Sequence, residues 1–246
     1  SINGQLKPGI FEVPGNVSSQ FITGLLLALP LLKADSEIVV TSSLESKSYI
    51  DMTLSAMYRF GVTAIETENG YKVYGNQSYK PQHLNIEGDW SQAAFFLAAG
   101  ALGGNVSIEN LDTASYQGDK AIYQLLRQFG ADITINGQVL SCKHNKLNGI
   151  EIDAENIPDL VPILAVVAAL AEGTTTITGA ARLRIKESDR LHAITEGLNK
   201  LGADITELPD GLRINGVKSL NGGAVQGYND PVSYTHLRAH ETGRNL

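Results

Sequence analysis

With 246 residues, 43 % of them hydrophobic and 18 % charged, the chain is long enough for one large domain or two ordinary ones and can bury a core. Its formal charge of −7 argues against nucleic acid or an anionic membrane surface as a bulk partner. A lone cysteine, Cys142, excludes an internal disulfide framework and a metal site built on cysteine pairs, and makes a reducing cytoplasm the default compartment.

Taken in order, Ser1 opens into turn-like sequence where no signal peptide is read. A strand is expected at 11–13, then the polar turn GNVSSQ at 15–20 and a strongly apolar helix over 21–32. That apolar run, interrupted by Pro30, and a second at 160–171 are too short to span a bilayer, so a soluble protein is expected. A strand at 38–41, the loop SSLESKSYI at 42–50 and an amphipathic helix at 51–60 follow. A hairpin of 63–66 with 71–74 closes the unit, with Asn69-Gly70 as its turn dipeptide.

The same order then recurs. Strands at 84–86 and 150–152 lead through polar turns into apolar helices at 93–102 and 160–170, and on to strands at 106–109 and 174–178. Amphipathic helices at 120–129 and 189–201 precede hairpins of 132–135 with 139–142 and 204–207 with 212–214, turning at Asn136-Gly137 and Asp210-Gly211. RFGVTAI at 59–65, QFGADI at 128–133 and LGADI at 201–205 place Gly61, Gly130 and Gly202 at matching points, 69 and 72 residues apart. The unit is βαβαββ, about 70 residues long, present three times. Its first helices are apolar nearly all round, which predicts burial, with helices packed inward and sheets outside. A solenoid is the alternative, but two helices of such different polarity per unit fit a closed globule better.

The loop before the second helix differs between repeats. It carries hydroxyls at 42–50 and mostly neutral polar residues from Asn110 until Asp119, Asp112 being the exception, whereas the third holds Arg182, Arg184, Lys186 and Arg190 around Glu187 and Asp189. Ser188 or Asp189 can cap the following helix, which leaves Lys186 and Arg190 flanking an N-terminus that already favours anions. This predicts a site for a multiply charged anion with an acid in its midst. The bland reading is a solvated charge run ahead of an amphipathic helix.

Five motifs, GNVSSQF at 15–21, SKSYIDMT at 46–53, EGDWS at 87–91, NIPD at 156–159 and LRIKESDR at 183–190, strongly resemble the EPSP synthase family, in its order and at its spacings. The resemblance implies an α+β fold of repeated βαβαββ units packed as an inside-out α/β barrel, in the two-domain enolpyruvyl transferase arrangement, here incomplete. By that analogy residues 1–82 are one repeat of one domain, 83–230 two repeats of the second, and 231–246 a non-native tail. It implies enolpyruvyl transfer from phosphoenolpyruvate to shikimate 3-phosphate, by an enzyme of aromatic amino-acid biosynthesis that is cytoplasmic and monomeric and uses neither metal nor organic cofactor. Ser18, Ser19 and Ser46 then bind the shikimate phosphate, Gln20 contacts both substrates and Tyr49 packs on the ring. Asp159 takes the 5-hydroxyl proton, Lys186 holds shikimate hydroxyls and stabilises developing charge, and Glu187 protonates the phosphoenolpyruvate methylene. Arg190 clamps phosphoenolpyruvate, with Arg182 added to the substrate site.

Two departures follow. The family's first repeats would lie before Ser1, and Pro231 breaks the family's Tyr-Asn-Asp-His-Arg motif after Tyr228-Asn-Asp230. His236 and His240, one helical turn apart, lack a third ligand and carry no metal expectation. The chain as written is therefore expected to turn over little, to be weakly stable and to self-associate through uncovered apolar helices. Two other classes compete: a non-catalytic repeat scaffold, and the sister enolpyruvyl transfer to UDP-N-acetylglucosamine. That family uses a loop cysteine, whereas Cys142 falls in a hairpin strand.

Overall fold

The computed structural model describes residues 4–186 and 188–228. In its first pass, strand β1 (Ile10–Val13) leads through helix α1 (Ser19–Ala28) to β2 (Ser36–Val40). Helix α2 (Lys47–Arg59) then leads to the hairpin of β3 (Ala64–Thr67) and β4 (Gly70–Val73). β1 and β2 are parallel, and a parallel pair requires the crossover that α1 supplies. β4 enters antiparallel between β2 and β3, giving the order β1-β2-β4-β3.

The second pass comprises α3 (Trp90–Leu102), β5 (Asn105–Ile108), α4 (Ala121–Phe129), β6 (Asp132–Asn136) and β7 (Val139–Lys143), in a three-stranded sheet of order β5-β7-β6. The strand expected at 84–86 does not form. Leu84 and Ile86 are exposed, and so short a segment with its apolar side chains in water does not offset the entropy of ordering it in a ladder. The third pass restores the full pattern with β8 (Glu151–Asp153), α5 (Val161–Ala169), β9 (Thr174–Thr178), α6 (Arg190–Lys200), β10 (Asp204–Leu208) and β11 (Gly211–Asn215). Its order β8-β9-β11-β10, parallel at β8 and β9, repeats that of the first sheet.

The described residues divide into two compact units, one running to Ile86 and taking in Tyr116–Gly118, the other comprising Glu87–Ser115 and the described residues from Asp119 to Tyr228. Each has its own core. Ile22, Leu26, Leu29, Ile38, Ile50, Met57 and Tyr71 fill the first. Trp90, Leu97, Leu126, Phe129 and the whole of α5 fill the second.

The expectation of uniformly buried first helices holds for α5, whose nine residues are all buried. It fails for α1, where Phe21, Leu27 and, just beyond the helix, Leu31 remain 56 %, 44 % and 56 % exposed. The first unit gives α1 one sheet and one sister helix, enough to cover Ile22 and Leu26 but not the far side. Two of the turn glycines also act differently from the expectation. Gly70 and Gly211 are the first residues of β4 and β11, and a Cβ there would meet Ile38 O at 1.9 Å and Ile177 O at 1.8 Å. Close strand approach fixes these positions.

Candidate functional site

Parallel pairing decides where the helices begin. Because β1 and β2 run the same way, α1 and α2 start beyond the same edge of their sheet, and α5 and α6 do so beyond β8 and β9. Helix starts present unpaired N–H groups and the positive end of the dipole, so each such edge favours anions.

In the first unit Ser18 caps α1, its Oγ accepting from Gln20 N at 3.2 Å. The turns ahead of α1 and α2 are bound together. Gly15 N and Asn16 N donate to Ser42 Oγ at 3.0 and 3.2 Å, Ser42 Oγ donates to Asn16 Oδ1 at 2.9 Å, and Glu45 N donates to Gly15 O at 3.2 Å. Ser19 is buried in the first turn of α1 and Gln20 is exposed. Ser46 stands at the entry to α2, buried, with a left-handed φ of 53°. A non-glycine residue there costs on the order of 1 kcal/mol or more, a strain that concentrates at functional positions. Tyr49, half-buried, follows in the first turn of α2. Ser18, Ser19, Gln20, Ser46 and Tyr49 thus share one rim of this unit.

In the second unit Asp159 sits in the short turn Pro158–Leu160 ahead of α5, and its Oδ1 accepts from Arg190 Nη1 at 3.1 Å. Arg190, the first residue of α6, is only 3 % exposed, so its guanidinium is a buried partner of Asp159 and not an open cation. Of the two candidate caps for α6, Asp189 takes the role, accepting from His192 N at 3.1 Å. Lys186 is exposed and Arg182 half-buried in the loop before it. Glu187 lies outside the described residues, as do His236, His240 and the 231–246 tail.

Three features of this unit escaped the sequence. Arg184, counted there among the site cations, is spent on structure. It donates to Asp189 Oδ2 at 2.9 Å, Glu207 Oε1 at 2.5 Å and the carbonyls of Leu208 and Pro209, tying the cationic loop to the β10–β11 hairpin. In the second pass Asp89 caps α3, accepting from Ser91 N and Gln92 N, while Ser91 Oγ donates to the buried Asp119 Oδ2 at 2.5 Å. Burial pushes the Asp119 carboxyl up to about 6, against the pull of the Ser91 hydrogen bond. The signal for this pair was the EGDWS motif itself, but nothing in the sequence connects Ser91 to a residue 28 positions on. The third feature is a cavity of about 670 Å³ lined by Leu102, His144, Lys146, Leu170, Glu172 and Lys218. It lies at the C-terminal ends of α3 and α5, where helix dipoles disfavour anions.

A family model described as EPSP synthase (3-phosphoshikimate 1-carboxyvinyltransferase) matches residues 1–231. The chain belongs to the EPSP synthase family. A 3-phosphoshikimate 1-carboxyvinyltransferase of Clostridium perfringens (strain SM101) is 55 % identical over 234 residues, covering 94 % of this chain and 55 % of that relative. The protein of that name from Methanocaldococcus jannaschii is 46 % identical over 230 residues, covering 93 % and 54 %. Among solved structures, an EPSP synthase from Acinetobacter baumannii matches with a TM-score of 0.75 at 28 % identity, covering 95 % of this chain and 56 % of that one. The enolpyruvyl transferase NikO from Streptomyces tendae, at a TM-score of 0.63 and 17 % identity over 86 % of this chain and 52 % of its own, shows the shared fold alone. The fold is the α+β enolpyruvyl transferase fold. The chain spans about half the length of the curated family members it matches.

Among the described residues no group of three or more His, Cys, Asp or Glu side chains is placed to hold a metal ion, and no helix is long and apolar enough to cross a membrane. Cys142 is fully buried in β7, and burial pushes its thiol up to about 11, which suits packing and not nucleophilic chemistry.

Proposed function

We propose that the chain carries part of an enzyme that transfers the enolpyruvyl group of phosphoenolpyruvate to the 5-hydroxyl of shikimate 3-phosphate and releases phosphate. The observation that carries this reading is the pair of anion-favouring rims. One is lined by Ser18, Ser19, Gln20, Ser46 and Tyr49, the other by Asp159, Arg182, Lys186 and Arg190, and both belong to a chain of the EPSP synthase family. Both substrates carry a phosphate and a carboxylate, and such anions need clustered donors and cations to lie side by side.

In this reading the serines and the N-terminus of α1 hold the shikimate phosphate, Gln20 reaches both substrates, and Tyr49 lies against the ring. Asp159, kept oriented by Arg190 at 3.1 Å, accepts the 5-hydroxyl proton as that oxygen bonds to C2 of phosphoenolpyruvate. Glu187 supplies a proton to the methylene carbon, and Lys186 and Arg182 stabilise the added charge. Loss of a proton from the new methyl group and departure of phosphate then restore the double bond. The chemistry requires no cofactor. The enzyme is placed in the cytoplasm as a monomer, with no nucleic-acid or membrane partner. The reading of the domains is that residues 1–82 and 83–230 contribute to two different ones.

Calorimetric titration of the folded chain with shikimate 3-phosphate tests the reading, with UDP-N-acetylglucosamine as control. Saturable binding of the first ligand alone is expected, weakened about 10-fold or more by Ser18→Ala or Ser46→Ala, since a hydrogen bond to a charged group contributes roughly 1.5–3 kcal/mol. Binding of the nucleotide sugar instead, or of neither ligand, would overturn it.

A further inference from the structure

A carboxylate stands at one repeat position in two of the three passes. Glu66 in β3 and Glu207 in β10 each follow the matching glycine, Gly61 or Gly202, by five residues. Both meet a cation from the entry to the helix before them. Lys47 Nζ, beside Ser46 and shared with Asp51 at 2.6 Å, lies 3.4 Å from Glu66 Oε2, and Arg184 Nη1 donates to Glu207 Oε1 at 2.5 Å. The second pass has Ile135 at that position, and its loop from Asn110 to Asp119 holds no cation. The pair is thus present where the loop carries residues of the proposed site and missing where it does not.

The two pairs differ in strength. Lys47 and Glu66 are 42 % and 53 % exposed, and a surface pair of that kind contributes little. Arg184 and Glu207 are 27 % and 26 % exposed, and the same guanidinium also donates to Asp189 Oδ2 and to the carbonyls of Leu208 and Pro209. Arg184 and Asp189 are the ends of a six-residue loop that their ion pair closes at 2.9 Å, and Lys186 lies inside it. Asp189 is fixed in turn to α6, accepting from His192 N at 3.1 Å, and the His192 ring places Nδ1 3.3 Å from the other oxygen of Glu207. One end of the loop is therefore pinned to the β10–β11 hairpin and the other to α6.

We infer that Arg184 and Glu207 are positioning residues of the anion site, which close and dock the loop so that Lys186 is presented to the ligand while neither of them touches it. The inference rests on the reading of Lys186 as a residue that meets shikimate 3-phosphate. Lys186 is exposed, and a long side chain on a loose loop gives up rotamer and backbone freedom when it grips an anion. A loop closed beforehand gives up less, and the saving appears as affinity.

Calorimetric titration with shikimate 3-phosphate tests this in wild type, Arg184→Gln, Lys186→Met and the double variant, each shown to be folded by circular dichroism. Lys186→Met is expected to weaken binding about 10-fold, and Arg184→Gln about 3- to 10-fold. In the double variant the Arg184 change should add less than about twofold, because its effect runs through Lys186. Equal affinities of wild type and Arg184→Gln sink the inference, and so does an Arg184 effect of full size on the Lys186→Met background. Where Arg184→Gln does not fold, Glu207→Ala takes its place in the same cycle. A second arm needs no ligand. Trypsin cuts after Lys186 as the loop opens, and that rate is divided by the rate after Lys146, an exposed site of the same unit. The ratio should rise at least about fivefold in Arg184→Gln, and an unchanged ratio counts against the inference. Absence of binding by wild type overturns the proposed function, while the cleavage ratio still decides whether Arg184 holds the loop.

Discussion

Helices α1 and α5 occupy the same place in the repeat, follow a parallel-paired strand and are built from the same apolar stock, yet one is swallowed whole and the other shows a face to water. α5 packs against α3, α6, β9 and β11, and every residue from Val161 to Ala169 is buried. α1 packs chiefly against α2, and Phe21, Gly24 and Leu27 lie along an exposed stripe. The difference lies in the number of repeats gathered into each unit and not in the helix sequence. An all-round apolar helix states how much burial its fold supplies, and a neighbouring repeat is what supplies it.

Substitutions that set the two helices against each other should separate cleanly. The largest effect is expected from Leu164→Ala in α5, about 2–5 kcal/mol lost from a site with no exposure. Urea unfolding followed by Trp90 reads it, because the single tryptophan is buried in the same unit. Arg184→Ala should cost about 1–2 kcal/mol by the same probe, since it releases the cationic loop from Glu207 and from two carbonyls at a half-exposed site. Arg184→Lys should recover less than half of that loss, lacking the planar fork.

Asp119→Asn is expected to act in the opposite sense, and only in part of the pH range. Its folded carboxyl titrates near 6, above the ordinary value of 3.8, so ionising it opposes folding. That cost is present in full above about pH 6 and fades as the pH falls toward the unfolded value. Asparagine should therefore raise stability by about 1–2 kcal/mol at pH 8 and leave it unchanged near pH 4, measured by thermal unfolding at both. Smallest in stability is Leu27→Ser on the open face of α1, within about 0.5 kcal/mol. Light scattering is the sharper readout there. The wild-type chain should self-associate at tens of micromolar, and Leu27→Ser combined with Phe21→Ser should lower the apparent mass.

Much of the fold was legible because it is repeated. Gly61, Gly130 and Gly202 marked the helix ends, and period-two and period-3.6 patterns between them located the strands and helices to within a few residues. The strand expected at 84–86 failed because periodicity reports apolar spacing and not the presence of a ladder partner. The exposure of α1 could not be read either, since burial there depends on what packs nearby. At the rims, local chemistry narrowed the cap of α6 to Ser188 or Asp189, and the structure chooses Asp189. Local chemistry does not distinguish Arg184 from Arg190. Both lie in one charge run, and only the positions of Glu207 and Asp159, distant in sequence, make one a brace and the other a buried partner of the candidate base.

Cys142, the one thiol in the chain, sits fully buried in β7. A thiol-labelling reagent can reach it only when that hairpin opens, so the labelling rate under native conditions, corrected for intrinsic reactivity, is a clock for opening of the second unit. The first unit contains no sulfhydryl and stays silent. The protein thus carries its own site-specific gauge, able to tell whether a ligand steadies the unit of Asp159 and Arg190 without cutting the chain in two.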